Sequence, residues 1–98
     1  MARYDVYPNP GGGYVLDVQA DLLDELKTRI VIPLISKTSA PLPAKRLNPS
    51  FEIEGEAYIL VTQFMAAIPV SVLSEPVTNL KAAHDEIVAA IDMVFHGF

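Results

Sequence analysis

The clearest periodic pattern in the chain lies between Asn79 and Phe98. Apolar residues recur there every three or four positions, which is the spacing of a helix with one buried stripe. The stripe consists of Leu80, Ala83, Ile87, Val88, Ile91, Val94, Phe95 and Phe98. Asn79 is a favourable N-cap, and Gly97 stands where helices commonly end. The pattern therefore predicts an amphipathic helix over residues 79–98, with Phe95 buried at the end of its stripe.

The remainder of the chain carries the alternation and the turn residues of short strands. Residues 4–7 and 14–19 predict one hairpin across a turn rich in proline and glycine. Residues 51–61 predict a second hairpin, with a tight turn near Glu54 and Gly55. The prediction is thus a mainly β protein that ends in one helix.

Three further segments connect or extend these hairpins. Residues 28–36 predict a buried strand, in which Pro33 fits a bulge or an edge position because proline lacks the N–H that a central strand donates. Residues 21–26 predict a short turn, and residues 70–73 one more small strand. The proline-containing segment 37–49 predicts a long connection.

Composition limits the classes of protein that fit. The chain has 98 residues, which suits one domain over 1–98, and 51% of them are apolar, more than a small monomer readily buries. We therefore expect an oligomer. The formal charge of −5 argues against nucleic acid as a direct partner. Cysteine is absent, no apolar run reaches the length of a membrane span, and no signal peptide is evident at the start, so a cytoplasmic location is expected.

Candidate catalytic groups are few and dispersed. His84 and His96 are twelve residues apart on the predicted helix, about 18 Å along its axis, so they cannot share a metal ion. Glutamates at 52, 54 and 56 fit a solvated hairpin face better than an acid–base pair. Gly11, Gly12 and Gly13 precede strand residues, whereas a phosphate-binding loop opens a helix. The sequence therefore predicts a protein without catalytic residues, metal or cofactor.

Two features point to contacts rather than chemistry. Arg29 begins an apolar strand, where it could pair with a carboxylate or hold a phosphate, and pairing is the favoured interpretation. At the other end of the chain, His96, Gly97 and Phe98 combine an imidazole, a glycine and an aromatic ring. Aromatic residues are enriched at binding hot spots, so these three residues predict contact with a protein partner.

Four segments together carry a family resemblance. Residues 17–24, 29–34, 65–72 and 90–98 resemble, in order and in spacing, the CcdB family of toxins. The resemblance implies a small SH3-like, CcdB-type barrel with an antiparallel sheet, like that of the MazF-type toxins, together with a C-terminal helix and a homodimer.

The same resemblance implies a function and a set of contact residues. Members of the family are cytoplasmic toxins of type II toxin–antitoxin pairs; they bind the A subunit of DNA gyrase, trap the cleaved-DNA complex, and are neutralised by an antitoxin with which they repress transcription. The residues that match the gyrase-contacting end are His96, Gly97 and Phe98. Those that match the antitoxin-contacting patch are Leu22, Leu23, Asp92 and Phe95.

One departure from the family pattern keeps alternatives open. The best-known members have Trp where His96 stands and an aliphatic residue where Phe98 stands, and Trp offers far more contact surface than His. A CcdB-like protein with altered or lost toxicity is therefore one alternative. A MazF-like endoribonuclease is another, although the acidic charge and the scarcity of basic side chains disfavour RNA cleavage.

Overall fold

The structure is a computed structural model that describes residues 2–40 and 43–97. Within these residues the chain forms seven strands and one α-helix. They are β1 (Asp5–Pro8), β2 (Tyr14–Asp17), β3 (Thr28–Ser36), β4 (Ser50–Ile53), β5 (Glu56–Leu60), β6 (Ala66–Pro69), β7 (Thr78–Asn79) and α1 (His84–His96). The strands pair antiparallel in the order β4-β5-β3-β2-β1-β7, with β6 also on β3. This nearly closed barrel with a C-terminal helix confirms the predicted fold class.

Both predicted hairpins are present, and each turn depends on backbone that glycine favours. In the second hairpin, Glu54 and Gly55 have φ of 52° and 83°, the positive pair that a type I′ turn requires. In the first, Gly13 has φ 71°, and a Cβ there would lie 2.5 Å from the carbonyl oxygen of Leu34. Only glycine lets β2 approach β3 this closely at that point.

Strand β3 is the centre of the sheet, so the edge position predicted for Pro33 is wrong. The strand pairs with β2 on one side, and on the other with β6 through residues 28–31 and with β5 through residues 34–36. Pro33 falls at the change of partner, where no residue pairs with it on that side. Its carbonyl accepts the Val61 N–H there at 2.9 Å. The missing proline N–H would face the same side, so it costs no ladder hydrogen bond.

The main core lies between the sheet and α1. Ile87 and Ala90 of the helix are fully buried. Ile87 packs in a cluster with inward-facing strand residues that include Val6, Leu16, Ile32, Leu34 and Leu60. A smaller cluster of Tyr7, Val15 and Val31, with Ile68 and Leu73 against it, occupies the other face of the sheet. Leu73 follows a 3-10 turn at Val70–Val72, so the strand predicted over residues 70–73 is wrong; the strand is β6, just before it.

The helix begins later than predicted. Asn79 belongs to β7, where it pairs with Asp5 of β1, and a 3-10 turn at Lys81–Ala83 precedes α1. The Asn79 side chain still caps a turn, because its Oδ1 accepts the Lys81 N–H at 2.8 Å. A residue that the periodicity assigned to the helix therefore pairs with the edge of β1 instead. At the other end, Gly97 has φ 77° and its N–H bonds to the Met93 carbonyl, as the sequence predicts for a helix terminus.

The apolar stripe is covered over only part of the helix. Its buried residues lie in the first two turns of α1, whereas Val94 is 38% and Phe95 64% exposed. The prediction that Phe95 returns to the core is therefore wrong. The end of α1 presents an apolar side chain to the surroundings.

A buried ion pair lies on the other face of the sheet from α1. The Nε of Arg29 donates to Oδ2 of Asp17 at 2.7 Å, and both side chains are buried. This confirms the predicted pairing of Arg29 with a carboxylate. Tyr7 lies in the same region, and burial, with the charges of Asp5 and Asp17, raises the pKa of its phenol to about 12.

Candidate protein-binding surfaces

The short turn predicted at residues 21–26 is a ridge of exposed leucines. Leu22, Leu23 and Leu26 are 92%, 48% and 51% exposed, and the first two lie in the 3-10 turn Asp21–Leu23. Burying one leucine side chain contributes about 1.5–3 kcal/mol. Three such side chains on one loop, the leucine ridge, form an exposed apolar surface of the kind that marks protein contacts.

Hydrogen bonds from a buried glutamine hold the leucine ridge in place. Gln19 donates from Nε2 to the Leu23 carbonyl at 2.9 Å, and its Oε1 accepts the Ile30 N–H at 3.2 Å. The Leu23 N–H in turn bonds to the Ala20 carbonyl at 2.9 Å. The loop is thus tied to β3 from below, so the exposed leucines form a preformed surface.

A cleft separates the leucine ridge from α1. It has a volume of about 370 Å³, and Leu23, Leu26, Met65 and Ile91 contribute apolar walls. Ile91 and Phe95 are four residues apart on the helix and therefore share one side of it. This ridge cleft places Leu23 opposite the helix that carries Asp92 and Phe95, although neither of these two lines the cleft itself.

The predicted gyrase-contacting end is at the C-terminus of α1. His96 and Gly97 are both exposed, and a Cβ at Gly97 would meet nothing within 4 Å. The glycine is needed for its positive φ rather than for space. Phe98, the third residue assigned to this end, lies outside the described residues.

Sequence reasoning missed two residues of these surfaces. Leu26 is the third apolar residue of an otherwise polar turn, which is a signal that the sequence offered. The sequence offered no such signal for Arg3. This residue lines the ridge cleft because its backbone N–H bonds to Asp21 Oδ1 at 2.8 Å. Only the tertiary structure brings the start of the chain beside the loop.

The remaining polar groups of the described residues do not assemble into a catalytic constellation. His84 Nδ1 lies 2.6 Å from the hydroxyl of Tyr4, whose pKa is raised by burial, and this contact joins the start of α1 to the barrel. The described residues contain no group of three or more His, Asp or Glu arranged to hold a metal. They also contain no helix long and apolar enough to cross a membrane.

The fold and surfaces define a class: a small antiparallel barrel that presents a preformed apolar ridge, a cleft and a helix end suited to protein contacts. The comparison with known families makes this specific, because the model of the CcdB protein family matches residues 3–97. The chain belongs to the CcdB family, and hence to the toxins of toxin–antitoxin pairs. The family is one of gyrase poisons rather than of catalytic enzymes.

Proposed function

We propose that this protein inhibits DNA gyrase by binding its A subunit and trapping the enzyme on cleaved DNA, and that a cognate antitoxin neutralises it. The observation that carries the proposal is the match to the CcdB family over residues 3–97, on a chain with two separate exposed surfaces. One surface would serve the target and the other the antitoxin.

The gyrase-contacting surface is the end of α1, formed by His96, Gly97 and Phe98. Its support is the exposure of His96 and Gly97 beyond the last turn that the sheet covers. Imidazole can donate, accept and stack, so His96 would contact the target with less buried area than a Trp provides. Poisoning would therefore depend more on the neighbouring residues than it does in members that carry Trp.

The antitoxin-contacting surface comprises Leu22, Leu23, Asp92 and Phe95. Two observations support it. The leucine ridge is preformed, and Phe95 is 64% exposed on the side of α1 that also faces the ridge cleft. A partner that lies across this region could cover both elements at once. Because Phe95 and His96 are adjacent, an antitoxin seated there would obstruct the gyrase-contacting end.

The active form in this proposal is a cytoplasmic homodimer of a one-domain chain, which represses transcription of its own genes together with the antitoxin. Large apolar side chains elsewhere support self-association, since Phe64 is 54% and Val72 49% exposed beside an apolar groove of about 290 Å³. Light scattering across protein concentrations would measure the mass of the particle. A monomer at every concentration would contradict the dimer.

The gyrase proposal is tested by incubating purified protein with gyrase, ATP and supercoiled plasmid. We expect linear DNA to accumulate after protein digestion, with less from His96→Ala and an unchanged amount from Glu86→Ala, an exposed residue in the first turn of the same helix. His96→Trp should increase cleavage, because the indole adds contact area at the helix end.

Unchanged plasmid at every protein concentration would refute gyrase poisoning while leaving the fold intact. RNA breakdown by the same preparation that persists in the presence of RNase inhibitor would instead favour an endoribonuclease. If neither His96→Ala nor His96→Trp changes the amount of cleaved DNA, the gyrase contact does not lie at the helix end.

A further inference from the structure

Among the described residues that line the ridge cleft, Arg3 is the one basic residue and none is acidic. The chain as a whole carries a formal charge of −5, so the cleft differs in charge from the protein around it. Arg3 therefore offers an acidic group a favourable charge on a molecule whose net charge otherwise repels it.

The guanidinium of Arg3 is already held in position. Its Nε donates to the Val18 carbonyl at 3.2 Å, and its Cζ lies 4.8 Å from the centre of the Tyr4 ring. The backbone N–H of Arg3 is fixed by Asp21, as described above. A side chain restrained at both ends loses little entropy when a ligand binds to it.

Arg3 forms no ion pair with any carboxylate of the described residues, unlike Arg29, which pairs with Asp17. It is half-buried rather than fully solvated. Arginine presents its N–H groups in a planar fork that matches the two oxygens of a carboxylate. The side chain thus combines a fixed position, partial desolvation and an unused capacity for a charged partner.

We propose that Arg3 selects an acidic residue of the antitoxin: one apolar side chain of the antitoxin enters the ridge cleft beside Leu23, and a neighbouring carboxylate pairs with Arg3. This rests on the proposed antitoxin-contacting surface and adds the chemistry of the segment that it accepts. A volume of about 370 Å³ suits a short piece of chain rather than a whole folded domain. Charge complementarity decides which apolar segments bind.

The probe is the purified product of the reading frame adjacent to the gene for this chain, and the measurement is its Kd by calorimetry at 50 and 300 mM NaCl. Arg3→Gln should weaken binding about tenfold at low salt and reduce the salt dependence. Lys27→Gln is the matched control: it removes one positive charge next to Leu26 of the leucine ridge, but Lys27 lines the neighbouring groove with Asp24 and Pro69 and does not line the ridge cleft. It should change Kd less than about twofold.

A second measurement identifies the carboxylate. Each Asp or Glu of the probe is changed to its amide and tested against wild type and Arg3→Gln, and one of these changes should have no further effect in the Arg3→Gln background. Melting curves of both variants control for folding. Arg3→Lys should recover only part of the affinity, because Lys lacks the planar fork.

Two failures are distinguishable. If Leu23→Ala weakens the probe but Arg3→Gln and Lys27→Gln bind as wild type does, the Arg3 proposal is overturned and the antitoxin-contacting surface stands. If the probe binds wild type with no dependence on Leu23 or Arg3, or does not bind at all, both the selection by Arg3 and the antitoxin-contacting surface are overturned.

Discussion

Replacing Asp17 with Asn would leave the buried guanidinium of Arg29 charged and without a counter-ion. The two side chains meet at 2.7 Å and are almost completely buried. Nη1 and Nη2 of Arg29 are also buried and bond to no atom of the described residues. Arginine does not give up its proton in proteins, so the charge cannot be removed by titration. Losing one partner of such a pair costs about 3–5 kcal/mol, a large part of the about 5–15 kcal/mol that stabilises a typical domain.

The reverse change should cost less. In Arg29→Met, Asp17 keeps the Gln19 N–H, which it accepts at 3.0 Å, and it can take up a proton. The same change also removes the two unpaired Nη groups. We expect a loss of about 1–3 kcal/mol, and the double variant Asp17→Asn with Arg29→Met should be more stable than Asp17→Asn alone. Urea unfolding at pH 7 measures the stability of wild type, the two single variants and the double variant. All four are compared at one protein concentration, because a dimer would make stability depend on concentration.

Two opposing effects act on Asp17, and the experiment separates them. Burial is the larger effect and raises the pKa of its carboxyl group above the usual value, although the hydrogen bonds from Arg29 and Gln19 act to lower it. Since Arg29 has no other carboxylate to pair with among the described residues, we expect the ionised pair to prevail at neutral pH. An Asp17→Asn protein as stable as wild type, or one that Arg29→Met fails to rescue, would refute this reasoning.

Three further predictions follow from individual residues. Tyr7 is neutral in the fold up to a pKa of about 12, against 10.0 for a free phenol; the unfolded chain therefore loses its proton first, and stability should fall by about 1.4 kcal/mol per pH unit between these values. Urea unfolding of Tyr7→Phe at a series of alkaline pH values should not show this loss of stability. Gly13→Ala should lower the free energy of unfolding by more than about 2 kcal/mol, because it adds a clash with Leu34 to an unfavourable φ. Gly12→Ala, which has the φ penalty without the clash, should melt at a higher temperature than Gly13→Ala. Leu22→Ser should leave the melting temperature within a few degrees, since its side chain is 92% exposed, yet weaken antitoxin binding in calorimetry; an unchanged Kd would contradict its place in the contact surface.

The candidate surfaces were only partly visible in the sequence. The pattern of residues 21–26 predicted the turn, but the contact role of Leu22 and Leu23 came from the family resemblance, and periodicity alone had no means to show that both are exposed. Phe95 shows the limit most clearly. Its spacing fits the buried stripe, yet it is 64% exposed, because burial depends on whether a distant part of the chain covers it.

What the sequence by itself determined is local. Alternation and turn residues such as Gly55 specify the hairpins, and the 3.6-residue period with Gly97 specifies the helix and its end, because these signals act between near neighbours in the chain. The tertiary structure decided everything that needs a distant partner: Asn79 pairing with β1, Pro33 lying at the change from β6 to β5, and Arg3 reaching the ridge cleft. Such contacts join residues far apart in the chain, and a single sequence carries no periodic signal of them.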